Sequence, residues 1–398
     1  MKPYSYTISK PSEIHGVISA FHSLGVKGSS LLISIFTSYT KAEGLQYMVE
    51  ALSSAFPKAE ISGMTSSVCI NQGVNHRGKI ILLFEVFEKT YVHTICFDHE
   101  PGKEETVGCA VMSELAKISE PLCGIEILAS QSYYRFSDFP PFLNVLTRDL
   151  PTTLPVWGAL ADSQTWPDHT YVFSKNYISS AGLILRVYTG EISIMLNHVL
   201  GFRPLSRPLT VTAMDGPMII KELDHKPAVY YYDKYIHTPD FQEQSLPFPL
   251  IQQYDGYDHA HLPQGRTLDG GIIFNIRCAV GTELRLSYGD PELMLSETKK
   301  VWEHMHAFGG ESAHILSCAA RYQFLNKNLG DVLANYNHVT PSFGIYAHGE
   351  IYRAGQRLVA AHLTGNIAVF REAAEAKPKD VSYNPVHLTQ HMTHLLQM

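Results

Sequence analysis

Residues 31–67 read "LLISIFTSYTKAEGLQYMVEALSSAFPKAEISGMTSS", an apolar run, a polar strand end, a helical stretch, a second apolar run and a glycine. The same order returns in residues 125–163, "IEILASQSYYRFSDFPPFLNVLTRDLPTTLPVWGALADS", and in residues 313–351, "AHILSCAARYQFLNKNLGDVLANYNHVTPSFGIYAHGEI". From polar strand end to glycine the steps nearly coincide: Ser38 to Gly63 is 25 residues, Ser132 to Gly158 is 26, and Cys318 to Gly344 is 26. Continuous runs rich in Leu, Ile and Val belong to strands covered on both faces, and a helix between two of them predicts a β-α-β unit. The fold class is therefore α/β, with mixed sheets built from repeated β-α-β units.

Further strand-like stretches lie between the repeats: "KIILLFEVF", "AGLILRVYTGEISIML", "GGIIFNIRCAV" and "ELRLSYGD", each bounded by turn residues. Residues 237–265, "HTPDFQEQSLPFPLIQQYDGYDHAHLPQG", show no period and are rich in Pro, Asp and Gln. They read as a long loop or lid, and a loop of that length in a compact chain is usually functional. A ligand pocket between strand ends and this loop is the expectation.

The composition narrows the classes of function. At 398 residues the chain exceeds the size at which a single core stops growing. Its 31 basic and 38 acidic residues give a net charge of -7, and no Lys/Arg block offers a footprint for nucleic acid or anionic lipid. The N-terminus has no apolar targeting segment, so a cytoplasmic protein is expected. Cys69, Cys96, Cys109, Cys123, Cys278 and Cys318 are scattered without a CxxC pair, as buried free thiols would be. Motifs for phosphate cradling, α/β-hydrolase chemistry and zincin chemistry are missing, and the chain is not expected to be an enzyme. After Phe370 a polar linker precedes "NPVHLTQHMTHLLQM", where Leu388, Met392, Leu395 and Leu396 align as an amphipathic helix, with Asn384 as N-cap and Pro385 in its first turn.

Five segments, in order, resemble the successive signatures of FIST sensory domains: "AEISGMTSSVCINQG" (59–73), "PVWGALADSQTWPDHTYVFSKNYISSAGLILRV" (155–187), "LGFRPLSRPLTVTAMDGPMIIKELDHKPAV" (200–229), "ILSCAARYQFL" (315–325) and "FGIYAHGEIY" (343–352). The resemblance implies two related halves, a FIST N-terminal domain at 15–195 and a FIST C-terminal domain at 196–370, followed by the linker and helix at 371–398. It implies a bacterial sensor that binds a ligand and regulates a histidine kinase, diguanylate cyclase or phosphodiesterase, in trans or fused beyond the C-terminus; a homodimer is one assembly open to it. The stand-alone architecture and the histidine content are similar to the NosP branch of that family, which implies haem b as cofactor and nitric oxide, a small diatomic gas, as input.

The candidate site residues follow. His198 precedes the turn "GFRP" and departs from the apolar or Gln-like residue usual in the family, and neutral imidazole is the ordinary proximal ligand of a five-coordinate haem. As an iron ligand it competes with the plain reading of a turn histidine, and with His259, His261 and His348. The first two form an H-x-H pair that an extended chain would turn to one face. His304 and His306 read as helical at i and i+2, which do not share a face, and are set aside. Cys318 and His348 stand at matching ends of the third unit, where open sheets bind ligands. Arg203 and Arg321 could fork onto a propionate or an amino-acid carboxylate, or pair structurally with Glu350, Asp162 or Asp215. Tyr346 and Trp157 could stack on a flat ligand, or be plain core. A small-metabolite sensor, an enzyme using Cys318 as nucleophile with His348 as base and Asp331 or Glu350 as orienter, and a docking scaffold remain as alternatives.

Overall fold

The computed structural model describes residues 1–100, 102–130, 139–163, 170–234, 241, 245–254, 256–274, 277–325, 328–375 and 377–386. The chain contains the β-α-β unit three times. The first unit comprises β1 (Lys2–Ile8), α1 (Ile14–Ser23), β2 (Ser30–Thr37), α2 (Ala42–Ala55), β3 (Glu60–Thr65), the hairpin β4 and β5 (Val68–Asn71 and Val74–Arg77) and β6 (Ile80–Phe87). The second comprises β7 (Thr90–Asp98), α3 (Glu104–Leu115), β8 (Leu122–Ala129), α4 (Phe139–Asp149), β9 (Val156–Leu160), the hairpin β10 and β11 (Val172–Ser174 and Tyr177–Ser179) and β12 (Gly182–Gly190). The third opens with β13 (Ser193–Val199) and is interrupted by nine short strands, β14–β22, between residues 202 and 289. It resumes with α5 (Pro291–Phe308), β23 (Ser312–Cys318), α6 (Ala319–Leu325), α7 (Asn328–Val339), β24 (Ser342–Ala347), the hairpin β25 and β26 (Gly349–Ala354 and Arg357–Ala361) and β27 (Gly365–Arg371).

Each unit builds its own six-stranded sheet around one parallel pair: β2 with β3, β8 with β9, β23 with β24. The hairpin that follows each pair leaves for a neighbour. β4 and β5 extend the third sheet beside β24, β10 and β11 extend the first beside β3, and β25 and β26 extend the second beside β9. The exchange is cyclic, so no unit completes its sheet alone. The inner faces of the three sheets meet in one core that includes Phe36, Phe87, Leu128, Trp157, Tyr188, Leu316, Phe343 and Phe370. The outer faces are covered by α1 and α2, by α3 and α4, and by α5 and α7.

Local chemistry explains the helices. In α2 the buried side chains Leu45, Met48, Val49 and Leu52 recur on one face, each contributing about 1.5–3 kcal/mol when fully buried. α5 starts where the Asp290 carboxylate accepts from the Leu293 N–H at 3.0 Å, takes Pro291 in its first turn, and stops at Gly309 in the left-handed region. The segment read as an aperiodic loop contains a hairpin, β18 (Leu250–Tyr254) paired with β19 (Tyr257–His261), inside the inserted nine-stranded sheet. Its Gln252, Gln253, Asp258 and His259 hide the alternation that would have marked strands. Residues 237–240, 242–244 and 255 of that segment, and the C-terminal helix expected over 388–396, lie outside the described residues. The preceding stretch is packed: Val381, Tyr383 and Val386 rest on the core of the third unit. All six cysteines are free, and no helix among the described residues is long and apolar enough to cross a membrane.

Candidate functional site

The three parallel pairs end at one junction. The Asp162 N–H donates to the Thr65 carbonyl at 3.1 Å and the His348 N–H to the Leu160 carbonyl at 2.9 Å. The Ser66 hydroxyl closes the ring onto the Tyr346 carbonyl at 2.7 Å. Registers within the pairs make the repeats equivalent: Ile35 faces Gly63, Ile127 faces Gly158 and Ile315 faces Gly344. Three residues beyond those isoleucines stand Ser38, Ser130 and Cys318; the register therefore selects Ser130, whereas Ser132 lies outside the described residues. Four residues beyond the glycines stand Ser67, Asp162 and His348, one polar side chain from each unit, all half-buried.

These side chains interact. Burial raises the Asp162 carboxyl above its usual range, although Ser67 hydrogen-bonds to it and His348 stands within electrostatic reach. Burial likewise lowers the His348 imidazole, with Asp162 opposing, so the ring is neutral near pH 7. Glu350, on β25 just behind, is fully buried; burial raises it well above the carboxylate range. The Thr364 hydroxyl donates to its Oε2 at 2.7 Å, while Oε1 has no hydrogen-bond partner among the described residues.

The remaining candidates fall into two groups. His198, His259, His261 and His348 gather along a seam where β19 of the inserted sheet meets β25 and β26. The His198 ring stacks on Tyr352 at 4.9 Å and meets Tyr257 at 5.4 Å. His259 and His261 turn to the same face of β19, ring centroids 5.4 Å apart, and His259 Nε2 contacts the Ala360 carbonyl at 2.8 Å. His362, at the end of β26, stands 5.5 Å from the His348 ring. It belongs to no motif in "VAAHLTGN", and the antiparallel pairing of β25 with β26, Glu350 opposite Ala361, brings it beside His348. Burial lowers His198, takes His259 down to about 4 and His261 to about 3, and leaves His362 well below its ordinary value. A cavity of 130 Å³, lined in part by Phe202, Ile251, Asp258, Glu283 and Arg285, flanks the seam.

The other residues have structural duties. Arg203 is exposed and pairs with Asp290, the cap of α5. Arg321 is buried and donates from Nη1 to the carbonyls of Leu200 and Leu363 at 2.9 and 3.5 Å. Tyr346 and Trp157 are core: the Tyr346 hydroxyl reaches Asn75 Oδ1 at 3.0 Å, and Trp157 donates to Glu126 Oε1 at 3.2 Å. Cys318 is 1% exposed, and burial followed by the Glu350 charge pushes its thiol far up, the reverse of what makes a nucleophilic thiolate. His304 and His306 lie on α5 with separate partners, Asn197 Oδ1 at 2.9 Å and the Lys379 carbonyl at 2.8 Å.

Comparison with known proteins bears on the whole chain. Residues 31–226 match the FIST N domain and residues 228–353 match the FIST C domain. No curated protein matches the sequence. Among solved structures, a chorismatase at 1.08 Å resolution aligns over 92% of this chain and 98% of its own, with 8% identity and a TM-score of 0.34. A cyanuric acid hydrolase from A. caulinodans aligns over 94% of this chain and 99% of its own, with 8% identity and a TM-score of 0.39. Scores this low carry nothing about chemistry.

Proposed function

The chain belongs to the FIST family, whose domains are sensory modules of signal transduction, and we propose that it is a ligand sensor whose input site is the junction of Ser67, Asp162 and His348. One observation carries this reading: the three repeats deliver a different polar side chain to the same position, half-buried and mutually interacting, where strand ends converge. A ligand touching all three would favour the arrangement in which the units are drawn together, a population shift that the outer helices can report. The regulated partner is a histidine kinase or a cyclic-di-GMP enzyme. A thermal-shift screen of small metabolites, repeated on Asp162→Asn and His348→Gln, tests the site. Hits that both variants lose support it, and hits of undiminished size in both variants sink it.

A second reading, haem b held by His198 with nitric oxide as input, is favoured by that ring's being neutral and half-buried beside four other histidines. The described cavity beside the seam, 130 Å³, is smaller than the ~300–1,000 Å³ of small-molecule pockets, so a porphyrin would require the seam to widen. An absorption spectrum after haem addition decides. A Soret band that responds to nitric oxide and disappears in His198→Ala would establish haem, and a colourless protein removes it.

A further inference from the structure

Asp162 is half-buried at the junction. Among the described residues the groups acting on it carry no permanent positive charge: Ser67 and the Ser163 backbone hydrogen-bond to it, and burial lowers the nearby His348 imidazole. Behind it Glu350 presents a second, fully buried carboxyl whose Oε1 has no partner among the described residues. The nearby cation among those residues, Arg321, commits its Nη1 to the carbonyls of Leu200 and Leu363 and acts electrostatically on Glu350 rather than on Asp162. Glu350, pushed far up by burial, contributes a neutral acid, so the charge to be met at the junction is that of Asp162, and no cation among the described residues is directed at it; a carboxylate buried unpaired is costly.

We propose that the ligand recognised at Ser67, Asp162 and His348 carries a protonated amine or guanidinium, with Asp162 as its counter-ion and Ser67 and His348 as flanking hydrogen-bond partners. The inference rests on the junction being the input site. An anionic ligand would meet the Asp162 carboxylate with no cation among the described residues to offset it, so the charged handle of an amino-acid-like ligand would be its amino end rather than a carboxylate clamped by Arg203 or Arg321. Proton linkage follows. Burial raises the Asp162 carboxyl, a bound cation lowers it again, and protons leave on binding. Affinity therefore falls as pH drops through the raised Asp162 value, while an amine of lysine-like basicity stays protonated throughout.

The test titrates the full chain with 1,4-diaminobutane, methylguanidine and, as anionic control, acetate, following the His348 ring resonances by NMR together with the melting temperature. A cationic probe is expected to move the His348 signals and stabilise the protein, with affinity declining toward acid pH. Asp162→Asn should weaken binding by about tenfold or more, and Ser67→Ala, which keeps the carboxylate, by less. Circular dichroism checks that both variants fold. Acetate moving His348 where neither cation does would overturn the cationic class and leave the junction as the input site. No probe moving His348 would overturn both, and equal affinity in a folded Asp162→Asn would remove the counter-ion.

Discussion

Both ring nitrogens of His314 face carboxylates, Nε2 to Glu85 Oε2 at 3.0 Å and Nδ1 to Glu126 Oε1 at 3.2 Å. Only a doubly protonated ring donates from both sides. Arg186 supplies the second positive charge through Glu126 Oε2 at 2.9 Å and also holds Ser62, so four buried charges balance where the three sheets meet. Burial opposes the charged ring, but Glu85 and Glu126 outweigh it and raise His314 to about 9. Burial opposes the Glu126 carboxylate too, yet His314 and Arg186 hold it down at about 2. The His314 contribution to stability is therefore complete below its ordinary 6.5 and lost as pH rises through about 9. That of Glu126 is complete above 4.5 and lost as pH falls through about 2. The denaturation midpoint should decline from pH 6.5 to above pH 9; a flat profile there would show that the ring is not an imidazolium. His314→Leu leaves Glu85 without a cation and Glu126 with Arg186 alone, and should cost roughly 3–5 kcal/mol in urea unfolding.

At the scale of elements, the parallel pairs are held at close approach by one glycine each. A Cβ at Gly63, Gly158 or Gly344 would collide with the carbonyl oxygen of Ile35, Ile127 or Ile315. These are backbone contacts that no rotamer change relieves. Gly158→Ala should destabilise by about 1–3 kcal/mol or more, measured by chemical denaturation, whereas Gly330→Ala on α7, with open space around it, should be near neutral. The glycine is legible in the sequence as the end of each repeat because it closes the second apolar run after the helix, although the equivalent polar strand end in the second unit is Ser130 rather than Ser132. The hairpins between repeats were not assigned their partners, because pairing β4 with β24 or β25 with β9 joins residues such as Phe343 with Asn71 and Gly349 with Leu160, far apart in the chain, and leaves no local period.

Over the whole molecule, the C-terminal stretch acts as a strap. Asn335 Nδ2 donates to the Asn384 carbonyl at 2.8 Å and its Oδ1 accepts from the Asn384 N–H at 2.8 Å, while Tyr383 packs edge-on to Trp302 of α5, centroids 5.6 Å apart. Asn335→Ala removes both hydrogen bonds and should raise amide exchange across residues 377–386 with little change elsewhere; unchanged exchange would mean that apolar packing alone holds the strap. The strap joins α5 to α7, the second of the two helices between β23 and β24, so a shift of the third strand end has a physical route to the chain's last described residues.

From the sequence alone came the repeated β-α-β units, the mixed α/β class, the FIST resemblance, and Cys318 and His348 as strand-end residues, since each rests on a local pattern of apolar runs and turns. Asp162 entered only as an ion-pair partner, and Ser67 and His362 passed unmarked. Tertiary structure decided that the three units make three sheets which exchange hairpins, that Arg203 and Arg321 are occupied elsewhere, and that Ser67, Asp162 and His348 share one junction. The reason is physical: a period reports which side of a strand or helix is buried, whereas a site depends on which strand ends meet, and that is set by hydrogen-bond pairing between segments far apart in the chain.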